Sequence, residues 1–307
     1  MEAASMSDSE GEDNIIAKLP KKQPKAESAS ESSLTINPEV EEPLAEPSHC
    51  GTYCDKDLVG RGFWLCTREE LPGLDVVEGN MKEEVFRENV DKGFNVIEDL
   101  CDAVNGSITA KHSAMLLYRR LYVIRHMEAP EYLDFAVAAI FASLKIEETP
   151  RKADYVFKKM RDMGDRLYKE VSVQDLDFSE WKGKLLERER QLLAATEFDT
   201  VIEHPLPHLK ELWEKLDELE FQEELKRKIQ QWSTNFLNDS YRTDALLLAP
   251  PRVVAGSALL LALLCNNAMP TGDEVDPYAV LDLPKAMVEE ICHALIDFYE
   301  QPDSDRD

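Results

Sequence analysis

Two charged residues stand where helical spacing calls for apolar ones. Lys145 follows Phe141 by four residues and Ala138 by seven, so it continues the apolar stripe of its segment. Glu189 lies four after Leu185, three before Leu192 and seven before Thr196, on the apolar face of another segment. A buried charge without a partner is costly, so each should meet an opposite charge or backbone hydrogen-bonding groups. That chemistry is recognition: a fixed cation and anion offered to a polar partner. A plainer alternative stays open. Lys145 can extend to water and favour a helix C-terminus, and Glu189 can reach water or a lysine on a neighbouring helix.

Catalytic signatures are scarce. The chain has no phosphate-cradling glycine loop, no G-x-S-x-G elbow and no H-E-x-x-H. Its six histidines are dispersed, and His204, just before Pro205, reads as a helix-start residue. The six cysteines are scattered and read as reduced thiols. His49, Cys50, Cys54 and Cys66 could supply four zinc ligands, but C-x3-C with one lone cysteine lacks a second close pair, so ordinary loop cysteines are the better reading. No catalytic residue, cofactor or metal is expected.

The elements that must hold the two charges are helical. Asp and Glu number 61 against 35 Lys and Arg, a net charge of -26. That balance argues against a nucleic-acid partner, whose binding draws on cations, and suits a partner with a basic surface. Twelve Gly and sixteen Pro are few for an all-β chain of 307 residues. Residues 1 to about 50 contain no Phe, Trp or Tyr, and are expected to form a disordered tail. The tail holds Ser7 and Ser9 in an acidic stretch suited to acidophilic kinases. It also holds a basic cluster of Lys18, Lys21, Lys22 and Lys25, either an import signal or a solvated tail. The first thirty residues show no apolar leader segment.

Helical periodicity runs through Val85, Val90, Phe94, Ile97 and Leu100, then from about Ile108 to Arg125. The segment Phe135 to Leu144 is apolar on nearly every side and belongs in the middle of a bundle. Thr149-Pro150 reads as cap and first-position proline of a fourth helix holding Tyr155, Val156 and Met160. A fifth spans about Phe178 to Thr196. The plan then recurs with helices from Pro205, from about Phe221, from Pro250-Pro251 and from Pro284. The apolar Val253 to Leu264 mirrors the earlier central helix, with Leu264 set 120 residues after Leu144. Its apolar run stops at Cys265, short of the ~20 residues a bilayer needs. The reading is all-α: two bundles, each around a central apolar helix.

Several of these strings resemble a known family. Arg120-Leu121-Tyr122 and the run from Ala138 through Phe141, Lys145, Glu148 and Thr149 to Lys152 are similar to the first box of the transcription cyclins, the K type foremost, with T and L near it. Glu189 to Leu193, Phe198-Asp199 and Glu203-His204-Pro205 fit the stretch joining the two boxes. Phe236 to Ser240, the Val253 to Leu264 helix and Glu290 to His293 fit the second. The resemblance implies tandem five-helix cyclin-box bundles: a tail at 1–55, an extension and first box at 56–202, a second box at 203–301 and a disordered end at 302–307. It further implies a regulatory, non-catalytic subunit that binds and activates a cyclin-dependent kinase acting on the RNA polymerase II tail, in the nucleus. Lys145, Glu189, Phe141, Glu148 and Phe198 would form the kinase interface, with Lys145 and Glu189 as its signature pair and Phe141 as an apolar anchor, and with no nucleic acid or membrane partner. The rival is a cyclin-fold scaffold or adaptor without kinase activation. Its support is Ser143-Leu144, where the family commonly has Ala-Gly; a leucine there is expected to alter the interface. The stretch from Met163 to Trp181 also fits the family poorly.

Overall fold

The computed structural model describes residues 82–124, 131–164, 177–216, 221–269 and 276–300, together with 65, 66, 68, 71 and 79. The expected tail, its serines and lysines, the expected end at 302–307, and His49, Cys50 and Cys54 lie outside the described residues. All regular structure among the described residues is helical. The first bundle comprises α1 (Glu83–Ala103), α2 (Ile108–Ile124), α3 (Glu131–Ile146), α4 (Ala153–Met163) and α5 (Phe178–Ala195). The second comprises α6 (Pro205–Leu216), α7 (Glu223–Ser240), α8 (Ala245–Leu248), α9 (Pro251–Cys265), α10 (Pro277–Leu281) and α11 (Lys285–Glu300).

The central helices are the two that the sequence marks as apolar all round. Every residue of α3 from Phe135 to Leu144 is buried, packed by α1, α2 and α5. In the second bundle α9 is buried from Val253 to Leu263 among α6, α7 and α11. Chain entry is set locally: Asp177 accepts from the Ser179 and Glu180 amides at the start of α5, and Pro251 opens α9. At Gly93 the side chain of Tyr118 lies against α1, so that a Cβ there would sit 1.9 Å from the phenol oxygen. Glycine permits the approach, and the phenol donates to the Asn89 carbonyl at 3.3 Å.

Four expectations are corrected. Helix α4 starts at Ala153 with Lys152 at its cap, so Thr149-Pro150 stands outside it. Val85 is exposed, the core position at that turn being Phe86. The repeat is offset by 119 residues: Thr149 N donates to Leu144 O and Ala268 N to Leu263 O, with left-handed Glu148 and Asn267 between. Lys145 therefore corresponds to Leu264. Leu144 is fully buried, close to where a Gly106 Cβ would lie, and faces the core of its own bundle.

The bundles meet across a polar seam. Arg119 on α2 donates through Nε to Asp244 at 2.7 Å and through Nη2 to the Leu71 carbonyl at 2.8 Å. Arg242, just after α7, reaches Glu98 and Asn95 on α1. The residues before α1 cross to the second bundle, where Cys66 N donates to Leu247 O and Arg68 pairs with Glu290.

Candidate functional site

The last turn of α3 brings three of the five expected residues together, Lys145, Phe141 and Glu189. Its apolar stripe leaves the core as the helix ends, so Lys145 stands at the surface with its side chain 44% exposed. The ammonium lies 4.4 Å from the Phe141 ring centroid and forms an ion pair with Glu189 of α5. Glu189 is only 9% exposed, held on the packed face that its spacing required. Two more ion pairs tie the first turn of α3 to α5: Arg188 to Glu131 at 2.6 Å and Lys184 to Asp134 at 2.7 Å. They hold the helices that carry Lys145 and Glu189 in register.

Phe141 is buried and forms a platform beneath the lysine. Exposed apolar surface is supplied by Phe198, 56% exposed, and Val201, 86% exposed. Phe198 has φ 57, and Glu148 at the end of α3 has φ 55, left-handed values that non-glycine residues seldom adopt. An exposed aromatic held in a costly backbone conformation suits contact with another surface. The site thus offers a cation on an aromatic face, a buried carboxylate steering it, and exposed apolar and acidic residues on the following loops. It can grip backbone carbonyls and a small apolar surface.

Sequence reasoning missed a second cluster, at the seam. His204 Nδ1 lies 2.7 Å from the Tyr241 hydroxyl, and its Nε2 lies 3.1 Å from Ser113 Oγ. Ser113 donates to Glu147 Oε1 at 2.6 Å. The His112 ring stacks on Tyr241 with centroids 3.9 Å apart. Each proton is used once if Tyr241 donates to His204, His204 to Ser113 and Ser113 to Glu147, which requires a neutral imidazole. Burial agrees with this: it lowers His204 below the ordinary histidine range and pushes His112 down to about 3. Burial also raises the Tyr241 hydroxyl. Serine, histidine and glutamate invite comparison with a nucleophilic triad, but Ser113 is fully buried and its proton points at Glu147. The cluster is a clasp between bundles. The only sequence signal for it was His204 before Pro205.

Among the described residues, no three of His, Cys, Asp and Glu converge on a metal position, and no helix is long and apolar enough to cross a membrane.

No protein-family model matches the chain. It is 28% identical over 243 residues to putative cyclin-T1-1 of Arabidopsis thaliana, covering 78% of this chain and 94% of that protein. It is 26% identical over 271 residues to cyclin-K of Homo sapiens, covering 82% of this chain and 41% of that one. The chain thus spans less than half the length of the human relative. In structure it is similar to a chain of the yeast RNA Pol II CTD kinase CTDK-1 complex, with TM-score 0.61, 16% identity, and coverage of 76% of this chain and 72% of the other. It is also similar to a viral cyclin from herpesvirus saimiri, with TM-score 0.52, 12% identity, and coverage of 70% and 86%.

Proposed function

We propose that this chain, whose fold is that of a cyclin and whose sequence is similar to the transcription cyclins, is the activating subunit of a cyclin-dependent kinase that phosphorylates the RNA polymerase II C-terminal domain. The observation carrying the reading is the Lys145–Glu189 pair at the exposed end of the buried helix α3. An exposed pair on a polar helix has ordinary surface explanations. Here the carboxylate is buried and the lysine stands out over an aromatic ring, with Glu148 donating its amide to the Lys145 carbonyl just beyond.

The mechanism follows from what a kinase lacks when alone. Its β3 lysine must pair with the glutamate of helix αC before ATP is held productively. A surface that binds αC in its inward position shifts the kinase toward that state by the difference in affinity. Lys145 donates to kinase carbonyls beside αC, Glu189 orients the lysine, Phe141 supports it from below, and Phe198 and Glu148 meet the kinase at either side. The chain supplies no reacting group. The compartment proposed is the nucleus, with Lys18, Lys21, Lys22 and Lys25 as the import signal. The adaptor reading drew its support from Leu144, and that side chain faces the core.

The test is affinity purification of the tagged chain, identification of co-purifying kinases, and assay of the complex on a polymerase-tail repeat peptide. The expected result is one dominant kinase whose turnover needs this chain. Recovery of no kinase, or of one indifferent to the chain, overturns the proposal.

A further inference from the structure

Of the sixteen prolines in the sequence, only Pro150 follows a serine or threonine. The run is Thr149-Pro150-Arg151-Lys152, and all four residues lie outside any helix, between the end of α3 and the start of α4. Pro150 and Lys152 are exposed and Thr149 is half-buried, its hydroxyl held only by a 3.5 Å contact to the Leu144 carbonyl. We infer that Thr149 is the acceptor site for a proline-directed protein kinase, and that its phosphate dismantles the corner formed by Lys145 and Glu189.

Such a kinase accepts proline after the phosphoacceptor because proline brings no N–H that must find a partner. Lys152, three residues after Thr149, supplies a cation for the acidic groups beyond that pocket. In the step itself, Thr149 Oγ1 attacks the γ-phosphorus of ATP and the new O–P bond replaces the bond to the β-phosphate oxygen. ADP departs, and the hydroxyl proton passes to the kinase's base.

The phosphate would bring about −1.5 to −2 charges to the C-terminus of α3, beside Glu147 and Glu148. That end of a helix already carries negative partial charge, and a phosphate there is repelled. Two of the nearby cations, Arg151 and Lys145, are committed elsewhere. Arg151 donates to the carbonyls of Val104 at 3.1 Å, Asn105 at 2.8 Å and Thr149 at 3.0 Å, which fastens the end of α1. Lys145 is held by Glu189. A phosphate is a stronger acceptor than a carbonyl, so it draws Arg151 from α1 and competes with Glu189 for Lys145. Modification of the free chain therefore lowers its capacity to bind a kinase. That consequence rests on the proposed function; the modification and its local effect do not.

The experiment incubates the purified full-length chain with an active proline-directed kinase and Mg-ATP, and maps the phosphoryl group by mass spectrometry of peptides. One phosphoryl on Thr149 is expected, lost in Thr149→Val and strongly reduced in Pro150→Ala. Amide hydrogen exchange across residues 141–148 is expected to quicken on phosphorylation, and binding of the co-purified kinase to weaken by about tenfold or more. No uptake at Thr149, undiminished uptake in Pro150→Ala, or unchanged exchange across 141–148 overturns the inference. If unmodified chain binds no kinase, the proposed function fails, while the mass spectrum and exchange rates still decide the site.

Discussion

Lys145 is the residue through which the proposed contact passes, and its surroundings set what its removal costs. It stands over Phe141 with Glu189 buried behind it. Lys145→Ala leaves that carboxylate unanswered and removes a donor to the kinase; Glu189→Ala releases the lysine from its pose. Each should weaken kinase association by roughly 2–5 kcal/mol. A binding titration checks this, with thermal melts confirming that the variants remain folded; wild-type affinity in both would remove the pair from the interface. The clasp gives a second prediction at this scale. His112 and His204 are held neutral in the fold below their ordinary pKa, so the unfolded chain takes up protons that the folded chain refuses. Their contribution is fully present above about pH 6.5 and declines as pH falls. For His112, with a folded value of about 3, the loss by pH 5 is roughly 2 kcal/mol. Denaturant titrations at pH 7.5 and pH 5 should show this decline, and His112→Phe should make it shallower. The two charged positions were legible as anomalies of spacing. That they answer each other came only with the family resemblance, because spacing locates a side chain on its own helix and says nothing of the helix opposite.

At the scale of elements, α3 shows how a local reading can be right about burial and misjudge direction. The string Ser143-Leu144 suggested extra bulk at an interface, yet Leu144 packs inward near Gly106. Leu144→Gly therefore removes a fully buried side chain from a central helix and adds backbone freedom. It should cost about 3–5 kcal/mol of stability, read as a drop in the denaturation midpoint, with kinase affinity of the folded fraction little changed. Affinity that collapsed while stability held would mean the leucine is itself a contact. The long helices were legible because their apolar periodicity repeats over many residues. Helices α8 and α10, of four and five residues, were not, since one turn gives no period to read. The start of α4 was misread because Thr-Pro satisfies the pattern of a helix start, whereas the helix begins only after an extended Lys152.

For the whole molecule, the question is what holds one bundle to the other. The seam is built from Arg119, Asp244, Arg242, Glu98, the histidine clasp and the crossing residues before α1. Removing residues 1–50, which contain no Phe, Trp or Tyr, should leave the thermal midpoint unchanged. Removing residues 1–71 takes away the Cys66 bond to Leu247, the Arg68 pair with Glu290 and the carbonyl that Arg119 uses. A loss of about 2 kcal/mol is expected, or roughly 4–8 °C in the midpoint. Differential scanning calorimetry of the two truncations separates the cases. A midpoint drop already present on removing 1–50 would give the tail a structural role.

Composition and periodicity by themselves determined an all-α chain, two bundles and the helix at the centre of each, because burial of a helix face is written in neighbouring residues. Tertiary structure alone decided the 119-residue register of the repeat, the inward aim of Leu144 and the seam. The same holds for the stacking of His112 on Tyr241 across 129 residues. Those contacts depend on the angles at which packed helices cross. Such angles arise from the fit of whole surfaces, which no short window of sequence contains.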